Sequence, residues 1–233
     1  TDSPQAETLK AAKELIRSAQ FHEAEQQLQS FLDSKPEPFW RQEASYTLAV
    51  ARRYQLNFSG ALDALQHLMK EKPDHSRAYQ EAGYNYLGLQ QPESAIQSLR
   101  QAVDLNPALL PSWKALVQLH QQSGNEEGER FAKSQAEYLE SLPLELQGAL
   151  DLLHEGKLLK AEQLCRQFLQ KNKKHIEGMR ILAEIGIRLK IYDDAEFLLE
   201  SCVTFEPQHL GARLDYLKVL NRKSKFRKAY EQA

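Results

Sequence analysis

"AYQEAGYNYLGLQQPESAIQSLRQAVDLNP", residues 78–107, decides the fold. Its apolar and small residues recur three and four apart, the spacing of one face of a helix. Ala82 and Gly83 fall in its first half, Ala95 and Ala102 in its second. Two antiparallel helices approach closely only where side chains are small, so these positions mark a seam. Tyr86, Leu87 and Leu99 are sized to fill its flanks at interior density. Pro92 suits a first helical turn, where its missing N–H costs nothing. Pro107 ends the second helix, because its ring clashes one turn back.

The arrangement repeats along the chain. Aligned alanines occur in "FHEAEQQL", "FSGALDAL", "PESAIQSL", "LLKAEQLC", "YDDAEFLL" and "FRKAYEQA", at Ala24, Ala61, Ala95, Ala161, Ala195 and Ala229. Their intervals are 37, 34, 66, 34 and 34 residues. The interval of 66 covers two units, with Glu129 in the place of the alanine between them. The interval of 37 is one unit plus three residues near Phe39-Trp40-Arg41. Pro36, Pro73, Pro107 and Pro207 close units, while Ser141 and Lys173 stand there in two others. The paired small positions recur as Leu48-Ala49, Gly148-Ala149 and Leu182-Ala183.

A 34-residue helix–turn–helix unit with these small, alanine and proline positions resembles the tetratricopeptide repeat. The resemblance covers nearly the whole chain. It implies an all-α fold: a right-handed α-solenoid of about 6.5 repeats, with seven first helices, six complete second helices and a short seventh from Phe226. No strand is expected. The degenerate unit around Glu129 should pack more loosely, and Leu142-Pro143-Leu144 is a candidate bend. Residues 1–141 (four repeats) and 142–233 (three, the last cut short) are the expected divisions of one continuous superhelix.

In this family the first helices line an inner surface that binds peptides. Carried over by register, that surface includes Lys13, Arg17, Tyr46, Arg53, Tyr54, Arg77, Tyr84 and Lys114. Lys10, Gln80 and Glu81 lie beside them, and His154, Arg180 and Arg188 occupy later repeats. Tyr and Arg often anchor interfaces, so the expected ligand is a protein or peptide segment with acidic and apolar groups. The subgroup that grips chaperone C-terminal carboxylates needs asparagines that are absent here. Lys114 fits one of its positions, but Asn85 lies one place off.

From Leu142 onward, "AEQLCRQFL", "HIEGMRILAEI" and "LKIYDDAEFLLES" are similar to the repeat region of bacterial tetratricopeptide-linked sulfotransferases. That resemblance implies a catalytic domain further along the parent protein, with the repeats as scaffold or substrate-recruiting arm. The sequence itself contains no strand–loop–helix with a Gly-rich phosphate-binding turn. Neither catalysis nor cofactor binding is therefore assigned to any residue. The text ends at Ala233 inside a helix, so a truncated repeat and end-to-end self-association through Phe226 and Tyr230 are expected.

Composition narrows the classes further. The formal net charge is −2 over 233 residues, which is not the basic footprint of a nucleic-acid-binding protein. Residues 1–141 hold 14 Lys/Arg against 19 Asp/Glu, while residues 142–233 hold 16 against 13. Apolar runs are too short for a membrane span and no signal peptide is visible, so a cytoplasmic location is expected. Cys165 and Cys202 lie on apolar stripes and read as core residues. The seven histidines form no metal-ligand spacing and read as surface or helix-end residues. "NRKSKFRK", residues 221–228, reads as a solvated basic turn, with binding of an acidic partner as the alternative.

Overall fold

The computed structural model describes residues 3–232. Among them every regular element is an α-helix. In chain order these are α1 (Pro4–Arg17), α2 (Phe21–Asp33), α3 (Pro38–Tyr54), α4 (Phe58–Glu71), α5 (Ser76–Gly88), α6 (Pro92–Leu105), α7 (Leu110–Gln122) and α8 (Glu126–Ser141). They continue as α9 (Leu144–His154), α10 (Leu158–Lys171), α11 (Ile176–Arg188), α12 (Tyr192–Phe205), α13 (Leu210–Arg222) and α14 (Phe226–Gln232). Odd-numbered helices are the first helices of the repeats and even-numbered ones the second. The fold is an α-solenoid of helical repeats, in two compact units: residues 1–135 and 136–233. The boundary lies inside α8, ahead of Leu142-Pro143-Leu144.

In the first unit α1 packs on α2, α3 on α4 and α5 on α6, and each hairpin packs on the next. First helices also touch in sequence, α1 with α3 and α3 with α5. The second unit repeats the pattern with α9 to α14. All six aligned alanines are buried, Ala24, Ala61, Ala95, Ala161 and Ala195 with no exposed surface at all. Around them sit layers such as Ala49, Ala61, Leu65, Leu68, Ala78 and Ala82 in the first unit. Ala183, Ala195, Leu199, Tyr216 and Val219 form the matching layer in the second.

The three extra residues near Phe39 lengthen α3 at its start, giving it 17 residues against 13 for α5. Without a proline at Ser141, α8 runs through that residue before Leu142 and Pro143 intervene. The turn inside each repeat carries one residue in the left-handed region: Ala19, Leu56, Gln90, Gly124, Gly156, Lys190 and Ser224. Histidines cap three first helices. Ala78, Gly178 and Ala212 donate their N–H groups to Nδ1 of His75, His175 and His209 at 3.2, 3.2 and 3.1 Å, satisfying donors that a helix start leaves unpaired.

Candidate functional site

The face made by the first helices of the first unit holds most of the residues named from register. At its centre Arg53 on α3 pairs with Glu81 on α5, whose side chain is 4% exposed. The guanidinium lies 4.6 Å from the Tyr54 ring centre and 5.5 Å from that of Tyr84, a cation–π arrangement. Asn85 Nδ2 donates to the Glu81 carbonyl at 2.8 Å. Gln80 Nε2 donates to Ser112 Oγ at 2.7 Å, tying α5 to α7. Tyr46 stacks on His75 at 5.6 Å. Burial, aided by the Glu81 charge, pushes its phenol up to about 12. Burial also raises the Glu81 carboxyl, which the Arg53 guanidinium pulls back. Arg77 is half-buried and its charge acts on both Tyr46 and Tyr84.

The structure thus gathers Tyr46, Arg53, Tyr54, Arg77 and Tyr84 around one buried carboxylate. Glu81 is the hub that register placed on this face without a role. Its pairing with Arg53 spans 28 residues, which no local pattern reveals. Asn85 has no exposed surface. Lys114 is exposed on α7. Tyr54 also stacks flat on Phe21 of α2, with ring centres 4.8 Å apart.

Lys13 and Arg17 stand on a second feature, a cleft between α1 and α3 of about 430 Å³. Ala6, Leu9, Phe39 and Trp40 supply its apolar lining, and Lys10, Lys13, Arg17, Glu14 and Glu43 its charges. Phe39 meets Trp40 edge-on at 4.9 Å and remains 62% exposed. Lys13 pairs with Glu43 at 3.1 Å, and Arg17 pairs with Glu14. Both aromatics come from the segment that breaks the 34-residue period, so the irregular interval was the signal for them.

Elsewhere the candidate chemistry is used internally. Lys223, Lys225 and Lys228 of the basic run all reach Glu196 on α12. In the later repeats Arg180 bridges Glu177 and Asp215. Cys165 and Cys202 are fully buried, and burial pushes both thiols up to about 12. Among the described residues no cluster of His, Cys, Asp and Glu is arranged to hold a metal, and no helix is long and apolar enough to cross a membrane.

Residues 76–109, which contain α5 and α6, match the model of the tetratricopeptide repeat. A tetratricopeptide repeat protein from Parabacteroides merdae ATCC 43184 is similar in structure, with a TM-score of 0.53 and 13% identity over 98% of this chain and 90% of that one. A structure of Naa15/Naa10 bound to HypK-THB aligns with a TM-score of 0.50 and 15% identity, over 99% of this chain but only 36% of that one. At such identities the likeness is one of fold. No curated protein matches the sequence.

Proposed function

We propose that the chain is a non-catalytic interaction scaffold that docks an acidic, partly apolar segment of a partner protein on the first-helix face of residues 1–135. The observation that carries this reading is Phe39, 62% exposed beside Trp40 and rimmed by Lys10, Lys13 and Arg17. An apolar side chain of the partner enters against the two rings. Its carboxylates replace those of Glu43 and Glu14 on Lys13 and Arg17. Such exposed pairs are worth about 0–1 kcal/mol each, so the exchange costs little. Tyr54, Arg77, Tyr84 and Lys114 extend the surface along later first helices. Rigid repeats avoid most of the ordering cost of association.

The test is fluorescence anisotropy with labelled twelve-residue peptides, one rich in Asp/Glu and Leu, one rich in Lys and Leu. The acidic peptide binds more tightly, more weakly as salt rises, and loses affinity with Lys13→Glu/Arg17→Glu. Equal affinity for both peptides, or indifference to the charge reversal, overturns the reading.

The resemblance of residues 142–233 to sulfotransferase-linked repeats extends the proposal: the scaffold serves as the recruiting arm of a larger enzyme. The gene sequence beyond Ala233 tests this, since a strand–loop–helix with a phosphate-binding turn is required there. Exposed Phe226 and Tyr230, 64% and 86% accessible, support self-association as a second use, read by light scattering against concentration.

A further inference from the structure

The fourth repeat departs from the others at a definite place. Glu129 holds the position of the small alanine and is half-buried. Helix α8 buries Ala132, Ala136 and Leu139 instead. In α6 the buried set is Ala95, Leu99, Ala102 and Val103, so the two second helices turn different stripes inward. A cleft of about 340 Å³ opens between α6, α7 and α8. Val103, Trp113, Leu116 and Ala132, all buried, form its floor. Phe131 meets Trp113 edge-on at 5.7 Å yet is 59% exposed.

One wall is His120, which is 8% exposed and whose Nδ1 has no hydrogen-bond partner among the described residues. Gly128 brings the start of α8 against the imidazole: a Cβ there would lie 2.9 Å from His120 Cγ. Burial and the Arg100 charge both hold His120 below its ordinary range, so near neutral pH the wall is uncharged. A neutral imidazole keeps one nitrogen as an acceptor. The rim carries Asp104 and Glu127 against the single cation Arg100. Neither carboxylate makes an ion pair among the described residues. Glu126 and Glu129 in the same first turn of α8 add to the negative field.

We propose that this cleft receives a lysine or arginine side chain from a basic segment of a partner protein. The stem of that side chain lies along Trp113 and Phe131, where a cation over aromatic rings is attracted. Its N–H donors meet Asp104 and Glu127, and its stem passes the uncharged His120 ring on the wall. An acidic segment would meet two unpaired carboxylates. A purely apolar one would leave both carboxylates unmatched. The ligand is opposite in charge to the one proposed for the α1/α3 cleft and uses other helices, so either proposal stands without the other.

The experiment is an NMR titration of the full chain with N-acetyl-lysine amide, N-acetyl-arginine amide and N-acetyl-glutamate amide. Trp113 and His120 side-chain signals are followed, with Trp40 as the internal control. The lysine or arginine probe shifts Trp113 and His120 saturably and leaves Trp40 in place, while the glutamate probe moves neither. Asp104→Asn/Glu127→Gln weakens the cationic probe about fivefold, and Phe131→Ala, at an exposed position, does likewise. Equal response to all three probes, no response to any, or unchanged affinity in both variants overturns the proposal.

Discussion

A Cβ placed on Gly83 would lie 2.6 Å from Cγ of Leu99. The two helices of the third repeat meet through the space a methyl group would fill. Replacing a helical glycine by alanine ordinarily favours the helix by about 1 kcal/mol. Here Leu99 is fully buried, and Ala95 O lies 3.5 Å from the same Cβ. Overpacking of this kind costs about 1–3 kcal/mol. Gly83→Ala is therefore expected to lower stability in urea denaturation. Unchanged or higher stability would show that Leu99 repacks and that the seam is not set at Gly83.

The turns invite the opposite substitution. Leu56 adopts φ of 62° and is 73% exposed, so its side chain contributes little packing to offset the strain. At the equivalent turns of the fourth and fifth repeats, Gly124 and Gly156 hold φ of 69° and 74°. Left-handed backbone costs an L-residue about 1–2 kcal/mol, less the extra entropy glycine loses on folding. Leu56→Gly should raise the thermal midpoint, whereas Leu56→Val should lower it. A lower midpoint for the glycine variant would place the exposed leucine in a stabilising role.

Much of this was legible from Ala24, Ala61, Ala95, Ala161, Ala195 and Ala229. Volume at a helix–helix seam is a local requirement, and it recurs with the repeat. The seven left-handed turn residues were not legible, because only two of them are glycine. The helix rotation in the fourth repeat was half legible. Glu129 marked the anomaly, but nothing short of the packing shows α8 turning Ala132 and Leu139 inward or leaving Phe131 beside Trp113. The Arg53–Glu81 pair was invisible for another reason: register assigns a face, and whether a charge on that face is free depends on what the neighbouring repeat places opposite it.

That pair separates a brace from a binding residue. Removing one partner of a buried ion pair costs about 3–5 kcal/mol, since the other charge is left uncompensated. Arg53→Ala strands Glu81, whose side chain is 4% exposed. Arg17, 73% exposed with Glu14 as its partner, should cost about 0–1 kcal/mol on the same change. Urea denaturation of the two variants side by side is the measurement. If Arg53→Ala is as mild as Arg17→Ala, Arg53 is available to a ligand and the buried brace is not.

Glu196 gives the chain a pH dependence whose direction can be stated. Its side chain is 8% exposed, and Lys223, Lys225 and Lys228 converge on it. Burial alone would raise its carboxyl, but hydrogen bonds from the three ammonium groups outweigh that and hold it down to about 2. In the unfolded chain the same group titrates near 4.5. The folded state therefore releases this proton more readily than the unfolded one, and the resulting stabilisation is complete above pH 4.5. It is lost progressively as pH falls towards 2, where the folded form also takes up the proton. Glu196→Gln removes the titration and takes the shared carboxylate from the three lysines, of which Lys223 keeps Asp193 and Lys228 keeps Glu200. The variant should be less stable than the parent at neutral pH, and the gap should close as pH falls through this window. Urea denaturation followed by circular dichroism at several pH values reads it. A gap that stays constant down to pH 2 would mean that Glu196 contributes by packing, and that the lysines do not depend on its charge.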